Sequence, residues 1–561
     1  MRHVRTLVAL APLFRNTRLF MSASSGFKVR VAASADLPTI HSLIKDSFAA
    51  LNDHTPPEFH ARIQESAESL CKNELTEPKF HETYFTTYGT CFWVVEDVGN
   101  QEVLGCVAVK RVSQDLAELV RMAVSPTCRS QGLGKLLIDE LVSYCAANGV
   151  LQIFLTTGNP RSGAFYKKHG FVNLYEPDSR LMKMFKYLGE RVITRVAIVG
   201  GTHGNERVGV ELVRQWADAG HAVRRDRTFE VAAVVGNPAA VSVNRRYVDK
   251  DLNRQFLGAT VATVVGTTSV EEARARELDA LLGPKGPAVD DVSVGVSDAA
   301  PLPAGVDFVI DLHSSNANVG LVAMASALDV DYVATRLAHH LLHDPTVQAR
   351  FPGLKVTSAG SDKAASWSVD SASPYGVSFE VGPLVHGTLS STMLEATRGL
   401  VEATLDFLDA RNRALLAAGP PTRWGRRTVV LASASPQAAE LICRPGPTPE
   451  FDCYTSVAKM EYPPVADGGG DTPYVLHPSL EGKDWNGEAL AEGVPAFVST
   501  DGALTVVPYA RPRIPWMGFG PPTGPDGTDA CTLYPLFIGE QAYVEGNTAF
   551  ALYKKVQKRV F

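Results

Sequence analysis

The amino-acid sequence predicts an α/β protein, two successive strand–helix series closed by a β-rich portion, and three patterns carry that prediction. From about residue 27 to about 184, short apolar runs of strand length alternate with amphipathic stretches of helical spacing. A second series starts at Arg195, where RVAIVG (195–200) reads as a buried strand. It breaks at Gly200-Gly201 and continues as a helix with Val208, Leu212 and Trp216 on one face. Near Arg427, after a helix whose apolar spacing includes Leu400, Ala403, Phe407 and Leu408, proline and glycine begin to punctuate the chain.

These patterns place domains at 27–190 and 193–425, with 426–561 as a β-rich subdomain of the second and 1–26 set apart. A chain of 561 residues is too long for one hydrophobic core. The junction 186–194 is short and not rich in proline or glycine, so the two domains are expected to be close neighbours. Residues 283–304 read as an inserted surface loop.

Hydrophobic residues are 45% of the chain and charged residues 20%, the composition of a soluble globular protein. A formal net charge of −6 offers no basic bias for a polyanion, so nucleic acid is excluded as a partner and small molecules are favoured. No stretch reaches the ~20 apolar residues that a membrane span needs, and no membrane partner is expected. Homo-oligomerisation is left open. Eight scattered cysteines without a CxxC pair read as thiols of a reducing compartment. Residues 1–26 hold Arg2, Arg5, Arg15 and Arg18 and no acidic residue, the composition of a mitochondrial transit peptide; a disordered tail in a cytoplasmic protein, or a start at Met21, is the alternative.

In the first domain, strand-like LAELVRMAVSP (116–126) leads into CRSQGLGKLL (128–137). Arg129, Gln131, Gly132 and Gly134 there form an R-x-x-G-x-G loop that opens a helix. Glycines let backbone N–H groups approach a diphosphate, and the helix dipole favours its charge. By itself such a loop is more often a plain strand-to-helix turn than an anion site. With the following strand LQIFLTT (151–157) and GNPRSGAFYKKHGF (158–171), it resembles the GCN5-related N-acetyltransferase (GNAT) family over about residues 27–185. The resemblance implies that acetyl-CoA binds on the loop as cosubstrate and that Tyr166 is the acid that protonates the leaving thiolate. CFWVVE (91–96) and the LTT-x-N segment look most like the branch that acetylates amino acids and cysteine conjugates, although that branch's hydrophobic membrane segment is missing. Glu118 is a candidate base acting through water, or an ordinary outward-facing strand carboxylate. Asn159 either holds the cofactor or caps the following helix.

In the second domain, His203 and Glu206 stand i, i+3 at the carboxyl end of a strand, where open α/β sheets place their ligands. DFVIDLHSS (307–315) repeats the design and delivers His313 behind an apolar run, with Asp311 just before it. Two histidines and one glutamate leave coordination positions open, as a catalytic zinc requires. Arg246, Asn253 and Arg254 suit capture of a substrate carboxylate. Glu380 sits among apolar residues in YGVSFEVGP (375–383), a costly place for a carboxylate unless it is paired or functional.

GGTHGNE (200–206), DLNR (251–254), DLH (311–313) and FEVGP (379–383), in this order, resemble the aspartoacylase family of zinc amidohydrolases with a carboxypeptidase-like mixed-sheet fold. HPSLEGKDW (477–485) and residues 530–550 extend the likeness over nearly all of 193–561. The resemblance implies that His203, Glu206 and His313 bind Zn2+, that Glu380 activates water and that Arg246 steadies the oxyanion. It also implies that Asn253 and Arg254 hold the α-carboxylate of an N-acyl amino acid, that Lys459 and Tyr543 close over the substrate, and that Asp311 supports the metal region. Family members that cleave N-acetylaspartate carry an arginine ten residues before the catalytic glutamate. Asp370 stands there instead, and VDS (369–371) resembles the aminoacylase-3 branch, which acts on N-acetylated aromatic amino acids and mercapturates. Asp370 is therefore expected to disfavour an acidic substrate side chain, unless the flanking loops shift the register. Together these readings describe a bifunctional enzyme, a deacylase joined to an acetyl-CoA-dependent N-acetyltransferase. The alternative is an aspartoacylase whose first domain only senses acetyl-CoA.

Overall fold

The computed structural model describes residues 26–54, 57–86, 89–113, 115–173, 182–218, 226–256, 269–283, 305–325, 331–358, 366–424, 427–443, 450–461, 474–476, 480, 490, 495–499, 506–508, 533–536 and 548–559. The expected transit peptide, the inserted loop beyond Gly283 and Tyr543 lie outside the described residues. The architecture is α/β, as the alternation predicts. No helix among the described residues is long and apolar enough to cross a membrane, and no disulfide joins the described cysteines.

The chain divides into two compact units, one holding the residues up to Lys110 with Glu118–Asn148, the other Arg111–Ala117 with Gly149–Phe561. This division falls earlier than the border expected near residue 190. Packing is the reason: Phe185, Tyr187 and Val192 belong to the same apolar cluster as Val196, Ile198, Tyr332 and Leu400. The junction is likewise more than a connector, because Gly189–Val192 is a strand paired antiparallel with Arg427–Leu431.

In the first unit, strands Phe27–Val31, Cys91–Asp97 and Val103–Arg111 pair antiparallel in that order. Phe92 and Val94, alternate residues on one strand face, pack with Ile40 and Ile44 of the helix Leu37–Ala49 and with Phe80 and Tyr84. The strand Leu116–Val124 precedes the helix Leu133–Ala147, whose buried Leu133, Leu137, Leu141 and Cys145 recur every fourth residue.

The second unit is organised by a nine-stranded sheet in the order Glu230–Val235, Arg195–Gly200, Phe308–Ser314, Tyr375–Gly382, Gly320–Ala325, Lys355–Ser358, Glu450–Glu461, Thr548–Arg559 and Leu533–Leu536. The first four are parallel, and Arg195–Gly200, Phe308–Ser314 and Tyr375–Gly382 are buried on both faces almost throughout, whereas the edge strand Glu230–Val235 is partly exposed. Gly320–Ala325 runs against them. The β-rich portion expected as a subdomain instead extends this sheet, through parallel pairing of Thr357 with Tyr454 and Ser358 with Thr455. A separate three-stranded sheet is formed by Tyr474–Leu476, Pro495–Ser499 and Val506–Pro508.

Beneath the amino ends of the central strands lies a buried ionic cluster. Asp115 accepts from Arg191 Nε at 2.8 Å, Arg427 Nη1 at 2.8 Å and the Tyr375 hydroxyl at 3.0 Å. Arg191 Nη1 reaches Asp307 at 2.8 Å, and the other oxygen of Asp307 accepts from Thr194 N and Oγ1 at 2.7 Å each. Alongside, Glu190 is held by Arg336 and by Arg411 Nη2 at 2.7 Å. Burial would raise the Asp115 carboxyl, but Arg191 and Arg427 hold it well below the usual carboxylate range.

Candidate metal centre and active site

Three parallel strands run side by side, and the site is supplied by the turn that follows Arg195–Gly200 and by the carboxyl-terminal parts of Phe308–Ser314 and Tyr375–Gly382. The turn after Arg195–Gly200 is shaped by two glycines: Gly201 has φ +75°, and a Cβ on Gly204 would lie 2.1 Å from the carbonyl carbon of Ala240. That close approach brings His203 and Glu206 over the sheet. His313 comes from the neighbouring strand, and Glu380 pairs with it in register on the next one. Residues directly opposite on paired strands face the same side, so Glu380 stands beside His313.

His203, Glu206 and His313 are buried, and one ligand atom of each lies within 4.8 Å of the others. The two Nδ1 atoms are 3.2 Å apart. Glu206 spans them, with Oε1 at 2.6 Å from His203 Nδ1 and Oε2 at 2.9 Å from His313 Nδ1. Two nitrogens bound tetrahedrally to one zinc at ~2.0–2.1 Å would lie about 3.3 Å apart, so the donor set fits such an ion. The outward ring nitrogens are also held: His313 Nε2 meets Asp311 at 2.7 Å and His203 Nε2 meets Asp251 at 3.2 Å. Thr202 Oγ1 donates to the second oxygen of Asp311 at 2.7 Å. A carboxylate behind each histidine fixes its orientation and raises its basicity.

The local field agrees with a cation site. Burial opposes charge on His313, yet Asp311 and Glu206 hold its pKa well above the usual value. Glu206, whose burial would raise it, is kept well below the carboxylate range by the two histidines. The negative charge of Glu206 and Asp311 that favours a proton on His313 equally favours a divalent ion, which binds the deprotonated imidazole in the proton's place.

Arg246 reaches Asp251 through Nη2 at 3.1 Å and Nε at 3.3 Å, and Glu206 through Nη1 at 3.4 Å. Asp251 therefore joins His203 to the guanidinium, and its backbone turn is closed by its own Oδ1 accepting from Asn253 N at 2.8 Å. Burial would raise Asp251, but His203 and Arg246 lower it. The sequence reading missed this residue, although an aspartate opening the DLNR turn is a capping signal. Asn253 Oδ1 accepts from Val369 N at 2.8 Å, tying the segment to the loop before the glutamate strand. Arg254 is exposed, with its guanidinium 5.5 Å from the ring of Trp367.

Asp370 follows Val369 in a buried turn, only 2% exposed, and its Cβ would lie 3.1 Å from a Cβ on Gly376. Gly376 is four residues before Glu380, roughly 13 Å along a strand. The turn is thus moored both to Asn253 and to the base of the glutamate strand. Lys459 is exposed on Glu450–Glu461, three strands from that of Glu380 and so about 14 Å across the sheet.

In the acetyltransferase region, Gly132 caps the helix Leu133–Ala147 at φ +85°, with nothing within 4 Å of a built Cβ. Gly134 lies in the first turn of that helix, and Arg129 and Gln131 are exposed beside it. The loop thus offers an open helix start suited to a diphosphate. Asn159 Oδ1 accepts from Arg161 N at 2.9 Å and Ser162 N at 3.4 Å, so of its two expected roles the helix cap is the one observed. Tyr166 is buried against Phe165 and Phe171, and burial pushes its phenol up. Glu118 is half-buried on its strand.

Comparison with known proteins agrees with both halves. The succinylglutamate desuccinylase/aspartoacylase catalytic domain family matches residues 192–293, and the acetyltransferase (GNAT) family matches 52–171. An N-acyl-aromatic-L-amino acid amidohydrolase (carboxylate-forming) of Mus musculus is 31% identical over 66% of this chain and 92% of its own. Aspartoacylase of Rattus norvegicus is 31% identical over 66% of this chain and 95% of its own. The crystal structure of murine aminoacylase 3 matches with a TM-score of 0.48 at 29% identity, covering 66% of this chain and 98% of that one. The class these findings define is an amidohydrolase preceded by a GNAT domain. More particularly, the chain belongs to the aspartoacylase family, in which aspartoacylases and N-acyl-aromatic-amino-acid amidohydrolases are its relatives.

Proposed function

We propose that the chain is a zinc-dependent N-acyl-amino-acid deacylase for substrates with uncharged side chains, joined to an acetyl-CoA-dependent N-acetyltransferase. The observation that carries the first part is the buried His203–Glu206–His313 set with Glu380 in register beside His313. Zinc held by these three residues would supply Lewis acidity toward the scissile carbonyl and make water a stronger acid. Glu380 takes the proton of the attacking water and delivers it to the leaving amine. Arg246, oriented by Asp251, faces the negative charge that develops on the carbonyl oxygen. Asn253 and Arg254 receive the α-carboxylate, and Lys459 and Tyr543 complete the substrate side of the site. The products are a carboxylate, acetate for an N-acetyl substrate, and a free amino acid.

The preference for uncharged side chains rests on position 370, where the buried Asp370 stands in place of the arginine that would hold the side-chain carboxylate of N-acetylaspartate, so that this substrate loses its cation there. Relatives bearing both kinds of name are 31% identical alike, and the preference is assigned from the residue at position 370 alone. In the acetyltransferase half, Arg129, Gln131, Gly132 and Gly134 bind the pyrophosphate, Tyr166 serves as acid and Glu118 as base through water. Residues 1–26 direct the protein to mitochondria.

Metal analysis with a substrate panel tests the reading. Purified protein is expected to hold about one zinc per chain and to cleave N-acetyltyrosine and an S-substituted N-acetylcysteine faster than N-acetylaspartate. Glu380→Gln should keep the zinc and lose turnover by about a thousand-fold or more. Full activity after metal removal would sink the zinc assignment. Acetyl-CoA that binds but is not consumed with any amino-acid acceptor would make the first domain a sensor.

A further inference from the structure

Resting on the deacylase reading, we infer that Trp367 is a specificity-determining residue: its indole forms a stacking wall for planar side chains of substrates whose α-carboxylate lies on Arg254. Trp367 is the one aromatic among the exposed large hydrophobic residues of the described chain, at 46% exposure. An indole in that setting leaves much apolar surface in water, which is unfavourable unless a ligand covers it.

Its position is fixed by the backbone around it. The carbonyl of Trp367 accepts from Phe256 N at 3.3 Å, and two residues on, Val369 N donates to Asn253 Oδ1 at 2.8 Å. Ser371 N and Oγ both donate to Ser368 O, at 3.0 and 2.6 Å. These bonds hold loop 366–371 against the 253–256 segment, so the indole and Arg254 are presented together. The Arg254 guanidinium is 5.5 Å from the ring centroid, and its Nη1 donates to Asn253 O at 2.8 Å. A guanidinium near an aromatic face is attracted by the ring quadrupole, which orients it without consuming its bidentate donor edge.

The geometry limits what this pair recognises. An amino acid whose carboxylate is on Arg254 has its Cα one bond further away, and its side chain begins there. The indole, centred 5.5 Å from the same guanidinium, is then a neighbour of the side chain that starts there. Offset stacking needs a second ring with its centroid about 4.5–7 Å away, which a benzyl side chain can present and a methyl group cannot. Aromatic selectivity thus comes from a residue three positions before Asp370, and adds to the effect of the cation missing at that position.

Steady-state kinetics of the zinc-loaded full chain on N-acetyltyrosine and N-acetylalanine tests this. Trp367→Ala should lower kcat/KM on N-acetyltyrosine about ten-fold relative to N-acetylalanine, chiefly through KM, and Trp367→Phe should restore most of the difference. Equal losses on both substrates would show that the indole only positions Arg254 and would overturn the inference, as would no loss on either. Calorimetric binding of the same two compounds to wild type and Trp367→Ala keeps the readings apart. Tryptophan-dependent preference in binding without any turnover would refute the deacylase and leave the stacking wall. Turnover with no difference in either assay would refute the wall alone.

Discussion

Asp311 touches no substrate, yet the structure gives it a measurable task. Its carboxylate sits 2.7 Å behind His313 Nε2 and is itself held by Thr202, so the imidazole is locked with Nδ1 toward Glu206 and His203. Asp311→Asn keeps the shape and removes the charge. Zinc affinity, measured by competition with a chelator, should fall by about ten- to one hundred-fold, as it does when such outer partners are lost. An unchanged affinity would mean that the histidine needs no support. The candidate metal set His203, Glu206 and His313 was legible in the sequence because each residue lies at the end of an apolar strand or in the glycine turn that follows one. Asp251 was not, since its bond to His203 joins residues 48 positions apart and depends on how a loop folds back.

Single elements carry two further expectations. The start of the helix Leu133–Ala147 depends on Gly132 at φ +85°, a conformation that a β-branched residue adopts only with strain. Gly132→Val should weaken acetyl-CoA binding by at least ten-fold in calorimetry, through a misplaced loop, while deacylation stays near wild type. The strand Leu116–Val124 holds Arg121 at φ +58°, where it grips Glu74 through Nε and Nη2, each at 2.9 Å. Burial opposes the Glu74 charge, but Arg121 and Lys110 bring its pKa from 4.5 down to about 2. A depressed carboxyl stabilises the folded form above its unfolded pKa and loses that contribution as pH falls toward its folded one. Thermal stability of this unit should therefore decline between about pH 4.5 and 2, and Glu74→Gln should flatten that slope. Element types along the chain followed from periodicity, but the fate of the last β-rich portion did not. Its membership in the main sheet rests on two paired positions, Thr357 with Tyr454 and Ser358 with Thr455, and no local pattern announces a partner strand.

Across the second unit, the largest departure from the sequence reading is the cluster around Arg191. Its charged members Asp115, Arg191, Asp307 and Arg427 come from four segments, with partners 76, 116 and 312 positions apart, so neither spacing nor composition could reveal it. Arg191→Met would leave Asp115 and Asp307 buried with part of their charge unmatched, and breaking such a pair costs about 3–5 kcal/mol. Arg413→Met, which removes an exposed partner of Asp409, should change stability by less than about 1 kcal/mol. Denaturant midpoints of the two variants provide the comparison, and equal shifts would deny the cluster its weight. The family border at residue 192 looks like a natural place to divide the gene, but Asp115, Glu190 and Arg191 all precede it. A chain begun there would strand Asp307, Arg336, Arg411 and Arg427 in the interior without their counter-ions. Joining the GNAT domain to the amidohydrolase in one reading frame thus behaves as a ratchet: with these ions met, a chain split at that seam would first have to lose four buried charges.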